Sequence, residues 1–240
     1  IGRLVGSEMC IRDRSGANYE TVTINANDGA GESGADGETV NLGNVGDSSH
    51  TQIHTVTVSA DDGITLTGAI YTADDGSLAN VTFNDAVIID GAVIIDTDDD
   101  QSHDGNIVFT TSIEGKGDGG TESLSIEGGT GTITLTAIGA TTTVGNLSIN
   151  TQNTATANLA IQNIGSGTVD ASTVIGAGTV NIGNTNSGTI DFEGTIYKTS
   201  GAFTVTAKAN ATTDKEIQFS GASPFISTAG ANVTLEGGEV

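Results

Sequence analysis

Residues 62–119, DGITLTGAIYTADDGSLANVTFNDAVIIDGAVIIDTDDDQSHDGNIVFTTSIEGKGDG, contain the pattern that decides the fold. The dipeptide Asp-Gly recurs there in nearly even steps, with its aspartates at Asp62, Asp75, Asp90, Asp104 and Asp118. Asp-Gly is a strong turn signal, because glycine accepts positive φ without steric cost and the Asp side chain bonds its own backbone. The stretch therefore predicts chain turns at nearly even intervals.

Short alternating apolar runs lie between these turns. They are Ile64 and Leu66, Val81 and Phe83, Val87 and Ile89, Val93 and Ile95, and Ile107 and Phe109. A period of two is typical of a strand that buries one face. The predicted unit is a strand followed by a turn, repeated along the chain.

The composition predicts a thin hydrophobic core. Charged residues make up 15% of the 240 residues and aromatic residues 4%, with no Trp, whereas Gly reaches 35. An ordinary globular domain carries about 25% charged residues and takes much core volume from aromatic side chains. Val, Ile and Thr must supply most of the interior here, and such a core suits an elongated β fold.

The chain is strongly acidic, with a formal net charge of -23 and only seven Lys and Arg. Such a surface repels phosphate backbones and anionic lipid, so we expect neither nucleic acid nor a membrane surface as a partner. No apolar run approaches the length of about 20 residues that crosses a bilayer, so we expect no membrane span in this fragment. The single cysteine, Cys10, leaves no disulfide framework.

Three regions are predicted along the chain. Residues 1–14, IGRLVGSEMCIRDR, hold three of the seven basic residues and the only Cys. They resemble the peptide that arises when sequencing-adapter sequence is translated at the ends of metagenomic assemblies; the alternative is a disordered basic leader. Residues 15–55 are predicted to be a loosely formed β and loop region. Residues 56–240 are predicted to be solenoid repeats that continue beyond the end of the chain.

Two all-β architectures compete for this pattern. An antiparallel β-sandwich array also places Asp-Gly between alternating runs, but sandwiches usually carry aromatic anchors and end near about 100 residues. Continuous strand signals and variable turns favour a parallel β-solenoid, or β-helix, with about 20 to 28 residues per coil. Residues 64–71, ITLTGAIY, and 190–197, IDFEGTIY, share one frame, which we interpret as an internal repeat.

The stretch ITLTGAIYTADDGSLANVTFNDAVIIDGAVIIDT, residues 64–97, resembles the β-solenoids of bacterial surface adhesins, both filamentous-haemagglutinin-like and autotransporter-passenger-like. The resemblance covers most of residues 56–235 and depends on Gly, Thr, Asn and Asp turns, short strands and few Lys. It implies a secreted or cell-surface segment, associated with the bacterial outer membrane, that acts by presenting a surface. The implied partners are a host or environmental surface, a glycan or protein receptor, and neighbouring repeats of the same chain.

The acidic stretch 96–106 is the strongest candidate for a metal site. Its carboxylates at Asp96, Asp98, Asp100 and Asp104 are the ligand type that Ca²⁺ prefers, so we predict a calcium site there. The stretch departs from the EF-hand loop, because Gln101 stands at the glycine position and Ile107 at the bidentate glutamate position. The alternative is a solvated corner loop whose charges keep neighbouring coils soluble.

Catalysis is not expected. A carbohydrate-active β-helix enzyme, a lyase or hydrolase, is the alternative, because paired carboxylates could be drawn from the 30 acidic residues. However, a lyase that acts on an acidic sugar needs basic residues, and no Arg follows Arg14. No nucleophile elbow is present either. We therefore predict no enzyme, no catalytic residues and no cofactor other than Ca²⁺.

A third functional class is an ice-binding solenoid, in which Thr-x-Thr pairs on a flat face match a lattice. The candidate pairs are Thr55 and Thr57, Thr65 and Thr67, Thr132 with Thr134 and Thr136, and Thr204 and Thr206. The intervals between successive strand pairs along the chain are irregular and argue against a matched array. Three or more stacked pairs on one face would favour this function, whereas scattered pairs would exclude it.

Overall fold

A computed structural model of the protein describes residues 8–12, 20–26, 38–49, 53–73, 79–98, 104–152, 155–167, 176–207 and 216–237. Its strands, in chain order, are β1 (Glu8–Arg12), β2 (Glu20–Ala26), β3 (Val40–Leu42), β4 (Ile53–Ala60), β5 (Ile64–Leu66), β6 (Ala69–Tyr71), β7 (Val81–Phe83), β8 (Val87–Ile89), β9 (Ala92–Asp96), β10 (Ile107–Phe109), β11 (Ile113–Gly115), β12 (Ser123–Glu127), β13 (Ile133–Thr134), β14 (Asn146–Ile149), β15 (Leu159–Ile161), β16 (Val180–Ile182), β17 (Ile190–Phe192), β18 (Ile196–Lys198), β19 (Phe203–Ala207), β20 (Ile217–Gln218), β21 (Phe225–Ser227) and β22 (Val233–Gly237). Within these ranges the fold is all-β, and no helix is long and apolar enough to span a bilayer.

The strands wind round three sides of a solenoid, and one passage round the three sides is called a coil here. Side one holds β2, β4, β7, β10 and β13, and is continued by β15, β17 and β20 in a separate sheet. Side two holds β3, β5, β8 and β11, and is continued through single bridges to β18 and β21. Side three holds β6, β9, β12, β14, β16, β19 and β22.

Pairing between successive coils is parallel throughout these three sides. On side one, Val56 pairs with Val81, Val81 with Ile107 and Ile107 with Ile133, so that each coil takes up nearly the same length of chain. The predicted parallel β-solenoid is therefore confirmed, and the alternative of an antiparallel sandwich array is wrong. The antiparallel pair β1 with β2 lies at the start, with β1 inside the segment 1–14.

The core follows from the period of two. Inward residues such as Val56, Val58 and Val81 are fully buried, while the residues between them face outward. Several aromatic side chains lie in the core: Phe83 stacks on Phe109 of the next coil at a centroid distance of 5.0 Å. A second group surrounds Phe192, with Tyr197 at 4.9 Å. Aromatic stacking along the axis thus adds to the packing of the aliphatic residues.

The Asp-Gly turns form corners of the solenoid. Gly63, with φ +103°, lies between sides one and two, and Gly91 and Gly119, with φ +120° and +107°, lie between sides two and three. Gly105 lies between sides three and one, where an added Cβ would overlap the carbonyl group of Ala79. Asp75 lies outside the described residues. Successive Asp-Gly pairs therefore mark different corners, at a frequency of about two per coil.

The similarity between residues 64–71 and 190–197 does not mark equivalent positions. The first segment runs from β5 to β6, from side two to side three, whereas the second runs from β17 to β18, from side one to side two. The two segments share a frame because each of them spans a corner. An even step between inward positions keeps the same face of the chain turned towards the core across the bend. The repeated frame thus marks a corner between two sides of the solenoid, and it recurs at two different corners.

The two ends of the stack differ in burial. In the region 15–55, β2 and β3 stack in parallel on β4 and β5. In the last described coil, Val233 and Leu235 are 46% and 43% exposed, although their neighbours in the ladder, Phe203 and Val205, are fully buried.

Candidate functional site

An acidic corner lies between side three and side one. Asp96 ends β9 and Glu127 ends β12, and the two residues are paired in the parallel ladder. Asp98 and Asp104 belong to the loop that leads from β9 to β10. All four are nearly buried, with exposed fractions of 7% for Asp96, 2% for Glu127, 6% for Asp98 and 2% for Asp104. We call these four residues the acidic corner.

Buried threonines hold the corner loops closed. Thr97 Oγ1 donates to the carbonyl of Gly105 at 2.7 Å, and one coil earlier Thr72 Oγ1 donates to the carbonyl of Ala79 at 2.9 Å. Each bond joins the start of a corner loop to its end. The sequence pattern did not predict this closure, since a single Thr after a strand carries no distinctive signal.

Asp98 and Asp104 meet at a glycine of the next coil. An ideal Cβ on Gly129 would stand 2.6 Å from Asp104 Cγ and 2.9 Å from Asp98 Cγ, so both carboxyl groups lie against this residue. Gly129 has φ +52°, and the two carboxyl groups occupy the space that a Cβ would need. Asp104 Oδ2 accepts hydrogen bonds from the backbone N–H and the hydroxyl of Thr130, at 2.7 and 2.8 Å.

Burial raises the pKa of Asp96 to about 7, and the charges of Asp98 and Glu127 act in the same direction. The backbone N–H of Asp98, which donates to Asp96 Oδ1 at 3.0 Å, opposes this rise. Burial also raises the pKa of Glu127, against hydrogen bonds donated by Thr151 and Gln152. The corner therefore favours either a proton or a cation that neutralises the carboxylates.

Amide side chains occupy the same corner in the later coils. Asn150 Oδ1 accepts from the N–H of Gly128 at 2.7 Å, and Asn184 Nδ2 donates to the carbonyl of Asn150 at 2.9 Å. At these positions the asparagine side chains bond along the axis to the backbone of a neighbouring coil.

The structure places three of the four predicted calcium ligands, Asp96, Asp98 and Asp104, in the acidic corner, while Asp100 lies outside the described residues. Glu127 joins them and was missed, because its proximity depends on the pairing of β9 with β12. In the described part of the chain, no group of three or more His, Cys, Asp or Glu side chains is arranged to hold a metal ion. The calcium site stays a prediction.

A second candidate surface is the outward face of side one. We call it the Thr/Asn face; it comprises Thr21, Thr23 and Asn25, then Thr55, Thr57 and Ser59, then Asn80, Thr82 and Asn84, then Asn106, Val108 and Thr110, and finally Thr132, Thr134 and Thr136. All of these residues are exposed or half-buried. Every one of them is uncharged, in a chain that carries 30 acidic residues.

The Thr/Asn face is ordered in two directions. Its central column runs Thr23, Thr57, Thr82, Val108 and Thr134, each paired with the next across parallel strands. From β4 to β13 no register shift interrupts the ladder. The side column is held by asparagine, because Asn80 Oδ1 accepts from the N–H of Asn106, and Asn106 Oδ1 accepts from the N–H of Thr132, each at 2.8 Å.

The predicted threonine pairs divide among the sides. Thr55 with Thr57 and the trio Thr132, Thr134 and Thr136 lie on side one, whereas Thr65 and Thr67 lie on side two, and Thr204 and Thr206 on side three. Thr21 and Thr23, which the sequence analysis missed, stack directly on Thr55 and Thr57. Side one thus carries three Thr-x-Thr pairs, of which only the first two stack directly; two mixed rows of Asn, Thr and Val separate them from the third, so three directly stacked pairs are not present there. The irregular intervals along the chain arise because each coil visits three sides.

A shallow groove of about 380 Å³ lies at the corner between sides two and three. It is lined by Gly117, Gly119, Gly120, Thr141, Thr142, Thr143 and Ser200. Glycine backbone and hydroxyl groups can hydrogen-bond a polar ligand. This lining contains neither the convergent carboxylates nor the aromatic platform that the alternative of a carbohydrate-active enzyme would favour.

Comparison with known proteins adds no family to these observations. No protein-family model, no curated protein and no solved structure matches the chain. The resemblance to adhesin solenoids therefore depends on the residues quoted above, and the structure bears out its coarser content, a parallel β-solenoid of stacked repeats.

Proposed function

We propose that this chain is a non-catalytic structural and adhesive segment of a larger secreted or cell-surface bacterial protein. One observation carries the proposal: in the first five coils the Thr/Asn face is uncharged, while carboxylates gather at the neighbouring corner beside β9 and β12. A stack that keeps charge off a broad face can bring that face against another surface. No desolvation of charged groups then opposes the contact.

The charge at the corners complements this role. A net charge of -23 keeps such rods apart in solution and disfavours phosphate-bearing partners. The partner proposed for the face is therefore an uncharged environmental or host surface, a neutral glycan or a protein receptor. Neighbouring repeats of the same chain are the second kind of partner, since Val233 and Leu235 present apolar side chains where a further coil would pack.

Ca²⁺ is proposed as a stabilising ion at the acidic corner. Three predicted ligands and Glu127 meet there, in surroundings that raise the pKa values of Asp96 and Glu127. A divalent cation would neutralise these carboxylates, and small side-chain rotations would be needed to bring their oxygens round one ion. This role is structural and supplies no chemistry to a substrate.

Retention on surfaces tests the adhesive function. The fluorescently labelled chain would be applied to a neutral glycan array, to extracellular matrix proteins, to insoluble polysaccharides and to growing ice. We expect retention on at least one of them, and little dependence on salt, because the contact face is uncharged. Retention on none, or release of reducing ends or unsaturated sugars from a polysaccharide, would overturn the proposal; the second result would favour the enzyme.

A further inference from the structure

We infer that the Thr/Asn face binds the ordered water lattice of ice. The inference rests on the proposed adhesive function and names the partner of that same surface. The observation behind it is not an unbroken stack of Thr-x-Thr pairs but the juxtaposition, on one side, of hydroxyl and amide groups from five successive coils, in a parallel register that is unshifted from β4 to β13.

The Thr/Asn face is periodic in two directions. Parallel strands lie about 4.8 Å apart, and outward residues along one strand repeat at about 6.6 Å. Threonine hydroxyls at Thr55, Thr57 and Thr82, and again at Thr132 and Thr134, occupy nodes of this grid. A partner gains from such a grid only if it is itself periodic in two directions, as a crystal face is.

The chemistry of threonine is the second argument. Each Thr offers a hydroxyl that both donates and accepts, together with a methyl group that water cannot hydrogen-bond. As a β-branched residue on a strand, it holds few χ1 rotamers, so the hydroxyl positions are fixed before contact. Rigid groups lose little entropy on binding, which matters where each contact to water is weak.

The absence of charge on the face is the third argument. Carboxylates would hold their own hydration shells and disturb the order of the neighbouring water, and the acidic chain keeps them off the residues of the face. The face as defined also carries no aromatic ring, on which a single sugar chain would stack. Among uncharged periodic solids, ice demands only matched hydroxyls, so it is the partner that these residues fit.

The regularity of the backbone sets the extent of the face. The length of chain in each coil stays nearly constant from Val56 through Val81 and Ile107 to Ile133. Beyond β15 the coil lengthens, as the pairing of Leu159 with Ile190 shows. The outward residues there include Asp191 and Glu193, so the uncharged face ends before β17.

The experiment measures partition of the whole chain into slowly growing ice, together with inhibition of ice recrystallisation. The wild type is expected to enter the ice. Thr82→Lys places a long charged side chain at the centre of the face and is expected to lose most of that partition. Thr57→Lys, one coil earlier, is a second variant and should show the same loss.

Ser148→Lys is the matched control. Ser148 is a half-buried outward residue of β14 on side three, paired with Ser125 and Asn181 as Thr82 is paired with its own neighbours. It should enter ice as the wild type does. Far-UV circular dichroism of all variants must show the same melting transition, so that loss of partition reports contact and not unfolding.

The outcomes separate the two proposals. Exclusion of the wild type from ice, or equal loss in Thr82→Lys and Ser148→Lys, overturns the ice assignment. Retention on microcrystalline cellulose or chitin without entry into ice also overturns it, yet leaves the adhesive function standing. Retention on neither ice nor any other surface overturns both.

Discussion

The acidic corner and the Thr/Asn face are neighbours on the same coils, yet they follow opposite rules. Asp104 is buried with its carboxylate against Gly129, and only two positions later Asn106 begins an uncharged row of the face. The corner concentrates charge that burial makes costly, whereas the face excludes charge. The difference shows that the fold separates two kinds of surface, one suited to a proton or cation and one suited to an uncharged partner.

Ionisation of the acidic corner should produce the largest effect on stability. The folded-state pKa of Asp96, about 7, lies above its ordinary value of 3.8, so its favourable contribution is fully present below that ordinary value. This contribution is lost as the pH rises through about 7. In a chelator, the free energy of unfolding should fall as the pH rises from about 4 to about 7, by on the order of 4 kcal/mol at most.

Asp96→Asn should flatten this pH dependence, because it removes the titrating proton and keeps the oxygen that accepts from Asp98. Denaturant titration at several pH values measures the effect. Asp118→Asn, at an exposed corner residue, is the control and should retain the wild-type slope. A wild-type stability that rises with pH across this range would contradict the assignment.

Adding a side chain at Gly105, between the acidic corner and the Thr/Asn face, should have the next largest effect on stability. Gly105 connects the corner to the face, and an added Cβ would overlap the Ala79 carbonyl in the preceding coil. Gly105→Ala should therefore destabilise the chain by about 3 kcal/mol, the upper range for overpacking. Gly237→Ala, where no atom lies within 4 Å of the added Cβ, is the control. Equal melting temperatures for the two variants would show that these coils are not packed this closely.

Calcium should act on the corner and leave the face unchanged. At a free concentration about 100 times the dissociation constant, an ion that binds only the folded chain stabilises it by about 2.7 kcal/mol. We expect a higher melting temperature with Ca²⁺ than with chelator, and loss of the difference in Asp104→Asn. Binding should also release protons at about pH 6, because ionised carboxylates are the ligands. An unchanged melting temperature in the wild type would count against the calcium site.

Changes on the face should affect stability least. Thr82→Lys and Ser148→Lys replace outward side chains and should each shift the free energy of unfolding by no more than about 0.5 kcal/mol. The pair would then differ in partition into ice alone. A large destabilisation by Thr82→Lys would mean that the face contributes to folding, and its regularity would need no external partner.

The sequence predicted the strands better than it predicted which side of the solenoid each strand occupies. Alternation at Val81 and Phe83 or Ile107 and Phe109 fixes the inward face of each strand, since a slip by one position would expose it. Nothing local says which side of the solenoid a strand occupies. The segments 64–71 and 190–197 look alike because any corner imposes the same frame.

The candidate sites were predictable only where their residues are close in sequence. Asp96, Asp98 and Asp104 are close in sequence, so their cluster was predictable, whereas Glu127 reaches it only through the parallel ladder. The Thr/Asn face escaped prediction for the same reason, since Thr57 and Thr82 become neighbours only after the chain has passed once round the solenoid. Once the number of residues per coil is known, these contacts can be assigned by counting residues along the chain.

Disulfide formation across the face tests the stacking most directly. In a background that carries Cys10→Ser, Thr57→Cys with Thr82→Cys places thiols on adjacent strands about 4.8 Å apart, within the reach of a disulfide. Thr57→Cys with Thr134→Cys places them three coils apart, beyond that reach. Mild oxidation followed by mass spectrometry should show an intramolecular disulfide in the first pair and none in the second. A disulfide in the second pair alone, or in neither pair, would contradict the parallel register of the face.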